Sequence, residues 1–126
     1  MATEDNFRFS MPILDKKYIA GGKSSALDDC PPVRLAHIAG VALTVECGFN
    51  AKAGKGARVH IYGSYDGLNY DTMDLYAFDI PLRRGKIARR TFEMKPKVMF
   101  IKSTVENLDR TQKVENIKII AAVGDH

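Results

Sequence analysis

Tryptophan is absent from this chain, which removes the side chain best suited to stacking on sugars or bases. Only two cysteines occur, Cys30 and Cys47, too few for a disulfide framework or for a cysteine-only zinc site. No window approaches the roughly 18–20 apolar residues that a membrane-spanning helix needs, so no membrane partner is expected. The N-terminus, MATEDNFRFSMPILDKK, is acidic early and lacks the continuous apolar stretch of a secretory signal. No Asn-x-Ser/Thr sequon is present. These absences point to a cytoplasmic protein with two reduced thiols.

The common chemistries are missing too. The glycines of 48–56 do not make a phosphate loop: Gly48 and Gly54 are one residue too far apart, and Gly56 stands where a magnesium-binding Ser or Thr belongs. Asp66, Asn69, Asp71 and Asp74 do not follow the spacing of a calcium-binding EF-hand loop, and Asp and Asn are the usual residues of turns. His37, His60 and His126 show no ligand spacing. Ser64 is not in a Gly-x-Ser-x-Gly elbow. Alternation sets Cys47 on an apolar face and His60 on a polar one, so a Cys-His dyad is not expected and Cys47 reads as a buried thiol. No cofactor, metal or catalytic residue is assigned, and the chain reads as a non-enzyme.

What is present is alternation. Residues 41–47 place Val41, Leu43, Val45 and Cys47 on one face against Ala42, Thr44 and Glu46, the period of two of a half-buried strand. In 58–64, Val59, Ile61 and Gly63 oppose Arg58, His60, Tyr62 and Ser64. An Asp66-Gly67 turn cluster follows, then a strand with Tyr76, Phe78 and Ile80 on one face. Further strands are expected over 87–94, over 98–107 with Met99, Ile101, Ser103 and Val105 inward, and over 114–123 with Ile117, Ile119, Ala121 and Val123 inward. Residues 13–32 read as a short apolar patch (Tyr18, Ile19, Ala20) and a polar connection closed by Pro31-Pro32. The fold expected is all-β, an antiparallel sandwich or barrel of seven or eight short strands. With 126 residues, one domain is expected over 13–126, preceded by an arm over 1–12.

The segment Ile61-Tyr62-Gly63-Ser64-Tyr65-Asp66-Gly67 followed by Tyr70, with the closing pair FIKSTVENLDR and VENIKIIAAVG, resembles the galactose-binding-like (discoidin-type) jelly roll over roughly 40–124. The chain departs from that pattern where Asn69-Tyr70 replaces the family's tryptophan after the turn. The resemblance implies a jelly-roll-like β-sandwich and the possibility of carbohydrate-type ligand binding through loops such as 48–57 or 65–74. It transfers no binding residue.

Three groups of residues are candidates for contact with partners. Phe7 and Phe9 alternate in the arm, either as anchors of a strand added to a neighbouring subunit or as a first edge strand. Arg83, Arg84, Lys86, Arg89 and Arg90 form a basic run suited to carboxylates or phosphates, with Lys52, Lys55 and Arg58 as possible additions. An acidic protein surface is the favoured anionic partner. Nucleic acid ranks below it, because the net charge is only +4. The same run also suits an edge blunted against aggregation. Tyr62, Tyr65 and Tyr70 are candidate ligand platforms or interface residues, alongside Tyr76 and Phe78. The leading expectation is a non-catalytic assembly module, either a homo-oligomeric structural subunit or a small accessory subunit of a larger complex.

Overall fold

The computed structural model describes residues 7–35 and 40–124, with side chains from Ser10 onward. It contains eight strands: β1 (Phe7–Ile19), β2 (Val33–Arg34), β3 (Gly40–Phe49), β4 (Ala57–Ser64), β5 (Tyr76–Ile80), β6 (Ile87–Met94), β7 (Phe100–Asn107) and β8 (Val114–Gly124). The one helical piece among the described residues is a 3-10 turn, Leu27–Asp29. Two four-stranded sheets form, ordered β1-β8-β3-β6 and β2-β7-β4-β5, with antiparallel pairing throughout. Every connection except that from β4 to β5 joins a strand of one sheet to a strand of the other. This is the expected all-β sandwich.

Alternation builds the core. In β3 every second residue is buried, with Val41, Leu43, Val45 and Cys47 inward. Ile117, Ile119, Ala121 and Val123 of β8 join them. Val59 and Ile61 of β4, with Ile101 and Val105 of β7, come from the opposite sheet. At the β5–β6 side, the Phe78 and Phe92 rings stack at 4.3 Å and 10°, and the Arg90 guanidinium lies 5.4 Å from the Phe78 centroid.

Several local expectations change. Residues 13–19 are not a connection; they continue residues 7–12 as the edge strand β1, paired with β8 of the same chain. A register irregularity between Pro12 and Leu14 brings the consecutive Ile13 and Leu14 both inside, which erases the period of two there. Pro12 is tolerated because β1 is an edge strand. Residues 7–12 thus run as an edge strand, one of the two roles their alternation allowed; residues 1–6 and the side chains of Phe7 and Phe9 lie outside the described parts. Met99, expected inside, is exposed because β7 begins only at Phe100. Ser64, expected outside, is buried, its hydroxyl donating to Asn69 O at 2.7 Å as β4 ends in the turn. Tyr76 is half-buried at the start of the short β5. His37 and His126 lie outside the described residues.

Candidate functional site

The outward residues of β4 and β7 meet in a fixed register: Arg58 faces Glu106, His60 faces Thr104, and Tyr62 faces Lys102. Neither neighbouring strand extends far enough to flank this surface fully. β5 stops pairing with β4 at Ile61, and beyond it the 65–75 loop takes over, with Leu75 N donating to Ile61 O (2.7 Å) and Asp71 N to Gly63 O (3.0 Å). On the β7 side, residues 23–25 do the same: Asn107 N donates to Lys23 O (2.8 Å), Ser25 N to Val105 O (2.9 Å), and Val105 N to Ser25 Oγ (2.9 Å). Two irregular segments therefore wall a cleft on the sheet face. The cleft has a volume of about 680 Å³, within the range of ligand pockets. Ser24, Leu27, His60, Tyr62, Tyr70 and Glu106 are among its lining residues.

His60 is the centre of this cleft. Its Nδ1 lies 2.7 Å from Asp74 Oδ2 in the 65–75 loop, and its Nε2 lies 2.9 Å from Glu106 Oε1 on β7. Burial pushes the imidazole down, but its hydrogen bonds to the Asp74 and Glu106 carboxylates, with their charges, outweigh it and hold the pKa above the usual histidine value. The Tyr62 ring lies 6.3 Å from the imidazole and within 23° of its plane. Lys102 Nζ sits 5.1 Å from the Tyr70 centroid and 3.6 Å from Asp28 Oδ1. The Tyr70 hydroxyl is buried without a hydrogen-bond partner, and its pKa is raised, first by burial and then by Cys30 and Asp66.

The turn beyond Ser64 is built by Asp66. Its carboxylate accepts from Asn69 N (2.8 Å), Leu68 N (2.9 Å) and Asn69 Nδ2 (3.0 Å), and these bonds hold it well below the usual carboxylate range. Gly67, at φ +79, sits against the Phe100 ring, and Gly63 against Val98. The 65–75 loop therefore rests on the 95–100 segment. The result is an apolar tip: Leu68 is 85% exposed, Met73 81% and Tyr65 80%, with Leu75 and Met99 also exposed.

The structure divides the sequence-predicted residues among these features. Tyr62 and Tyr70 share the cleft, whereas Tyr65 belongs to the tip, in a shallow depression with Val98 and Met99. The basic run is dispersed. Gly85, at φ +68, turns a connection between the two sheets rather than a hairpin tip. Arg89 is bound to Glu46 at 2.7 Å, Arg90 donates to Asp79 O at 2.7 Å, and Arg84 donates to Ala53 O at 2.7 Å. Arg83 makes only a long 3.4 Å bond to Ile87 O, and Lys86 is exposed. Arg58 is paired with Asp79. Sequence reasoning missed the His60 clasp, because Asp74 and Glu106 are distant in sequence and gave no spacing signal. It also missed the tip, whose apolar residues lie in a turn with no periodicity. Among the described residues no group of three or more His, Cys, Asp and Glu side chains is arranged to hold a metal, and no helix is long and apolar enough to cross a membrane.

No protein-family model matches the chain, and no curated protein matches it. Solved structures of similar shape include the PRD1 vertex protein P5, at 11% identity, covering 96% of this chain and 98% of that one with a TM-score of 0.59. They also include VP2 of the infectious bursal disease virus subviral particle, at 12% identity and a TM-score of 0.58; 93% of this chain is covered but only 32% of VP2. The carbohydrate-binding module CBM6cm-2 of Cellvibrio mixtus lichenase 5A matches at 8% identity over 98% of this chain and 93% of the module, with a TM-score of 0.49. The resemblance to jelly-roll sandwiches is weak in sequence, and the likeness in shape rests on the two viral proteins. At these identities it shows the fold alone.

Proposed function

We propose that this chain is a non-catalytic β-sandwich subunit that assembles with further copies of itself through the 65–75 tip. The observation that carries this reading is the exposure of Tyr65, Leu68 and Met73 on one loop. Covering side chains of this size is worth about 1.5–3 kcal/mol each, and a grouped apolar patch on a small domain marks a contact surface. The rim carries both charge signs, Asp71 and Asp74 on one loop and Lys95 and Lys97 on the next, all exposed. A patch with both signs can be self-complementary across a two-fold axis. The β1 edge is a poorer contact, since Pro12, a register irregularity and Lys17 blunt it. A non-catalytic role is supported by His60, both of whose nitrogens are engaged by carboxylates, and by two buried thiols. The similar shapes of a vertex protein and a viral-particle protein agree with a structural role.

Sedimentation equilibrium across a wide concentration range tests the reading. The wild type is expected to exceed its 14.0 kDa chain mass, and Leu68→Glu with Met73→Glu to return it to a monomer. A wild type that stays monomeric at every concentration overturns it.

The cleft supports a second reading, carbohydrate-type ligand binding, favoured by two tyrosine rings set among hydroxyl and carboxylate groups in one cavity. Glycan-array binding that disappears with Tyr62→Ala supports it. A silent array removes it.

A further inference from the structure

The loop that presents the apolar tip is fastened to the body of the sandwich through one titratable side chain. His60 stands on β4, Asp74 near the end of the 65–75 loop, and Glu106 on β7, and the imidazole spans from one carboxylate to the other at 2.7 and 2.9 Å. A neutral imidazole has one N–H and one lone pair. It can donate to Asp74 or to Glu106, and its other nitrogen then turns a lone pair toward a carboxylate. The imidazolium donates to both. The two protonation states therefore differ by one fastening between loop and sheet, and the neutral state adds a repulsion in its place.

The other charged groups facing this point are engaged elsewhere. On β4, Arg58 lies opposite Glu106 in register but donates Nε and Nη2 to Asp79 of β5. On β7, Lys102 lies over Tyr70 of the loop and near Asp28 of the 20–29 segment. Asp71, on the loop, is exposed at the cleft. Tyr62 contributes only its ring. Each cation has its own acid, which leaves His60 as the proton-dependent partner of both Asp74 and Glu106.

We propose that His60 is a proton-operated latch that fixes the 65–75 loop when protonated and loosens it when neutral, so that self-association through the tip weakens as pH rises. This rests on the assembly reading for its second half only. The latch acts on loop order whether or not the tip meets another copy. Order of the loop governs association because a mobile tip must give up its conformational freedom on contact, while a fastened one has already lost it. The carboxylates and their hydrogen bonds hold the imidazole above its usual value, so the latch stays closed to a higher pH than a free histidine would allow.

The experiment measures amide-exchange protection factors of residues 65–75 at about pH 5.5 and about pH 8.5, on either side of the free imidazole value of about 6.5. It uses the wild type, His60→Gln, Glu106→Gln and the tip variant Leu68→Glu/Met73→Glu, with sedimentation of each at both pH values. In the wild type and the tip variant, protection is expected to fall about fivefold from the lower to the higher pH, the factor one net hydrogen bond is worth. His60→Gln and Glu106→Gln are expected to show no such fall. Wild-type protection that is equal at both pH values, or an equal fall in His60→Gln, overturns the latch. A wild type that is monomeric throughout overturns the assembly reading and leaves the exchange data to decide the latch. Association that is independent of pH while loop protection falls overturns the coupling between the two.

Discussion

Asn107, at the end of β7, is buried to 1% exposure, and its side chain joins three parts of the chain. Its Nδ2 donates to Gln112 O at 2.8 Å and, at 3.2 Å each, to Ile19 O and Ala20 O; its Oδ1 accepts from Asp109 N at 3.0 Å. One amide has two N–H groups, so the two longer bonds share a proton. Ala20 O keeps a second donor, Lys23 N, at 3.1 Å. Counting the shared pair as one, Asn107→Ala removes three bonds and takes from Gln112 O and Asp109 N the partner each has here. At about 1 kcal/mol for each lost bond, the cost is about 3 kcal/mol, and for a domain of this size Tm falls by roughly 12 °C. Asn107→Asp has nearly the same shape and is expected to be worse, because it places a carboxylate oxygen against the carbonyls that the amide served. The stability order expected in urea unfolding at neutral pH is wild type, then Asn107→Ala, then Asn107→Asp. An aspartate variant as stable as the wild type, or more stable than the alanine variant, would refute this account of the junction.

Other consequences follow from the same geometry. Because the folded pKa of His60 is raised, its stabilisation is fully present below the unfolded value of about 6.5 and is lost as pH rises through the folded value. With the partly exposed pair discounted for solvent, the effect is about 1 kcal/mol; the Tm advantage of the wild type over His60→Gln should be roughly 4 °C larger at about pH 5.5 than at about pH 8.5, and an advantage that grows with pH would contradict the sign. Burial pushes the Cys47 thiol up to about 12 and raises Cys30 as well, so a disulfide thiol reagent at mildly alkaline pH should label neither cysteine in the folded protein and both in denaturant. Rapid labelling of the native state would show the interior to be more open than described. Deleting residues 1–12 removes the first half of β1 from β8 and should lower Tm by roughly 10 °C or more, at about 1 kcal/mol for each of several ladder bonds. An unchanged Tm would mean that this half of the strand contributes nothing to the folded domain.

The strands that were legible in the sequence are those whose two faces differ. β3 is central in its sheet and buries one face, so the run from Val41 to Cys47 shows its period without interruption. β4 shows it for the same reason, which is why Tyr62 and His60 were correctly set on the outward face. β1 was not legible. It is an edge strand with a register irregularity, and a stretch that buries Ile13 and Leu14 in succession and then exposes Asp15, Lys17 and Tyr18 has no single period to detect. β8 shows a milder form of this. Asn116, at φ +52, sits where the β3 pairing skips between Glu46 and Gly48, so Val114 and Ile117 are both inward although three residues apart.

The site was less legible than the fold because alternation says which way a side chain points and not which residues it meets. The outward set of β4 could be read, yet its partners came from β7 and from a loop whose course depends on where β5 stops. The 65–75 loop illustrates the limit most clearly. Its Asp66-Gly67 turn was recognisable, since Asp66 serves local amides and Gly67 takes a left-handed backbone against Phe100. The exposure of Leu68 and Met73 was not, because a hydrophobic residue in a turn looks the same in sequence whether it folds back onto the core or faces solvent. Here it faces solvent, while Gly63 at the end of β4 and Gly67 in the loop let the backbone lie directly on Val98 and Phe100. A bulkier residue at Gly67 would meet the Phe100 ring and lift the loop, and the tip would then lose both its position and the reach of Asp74 toward His60.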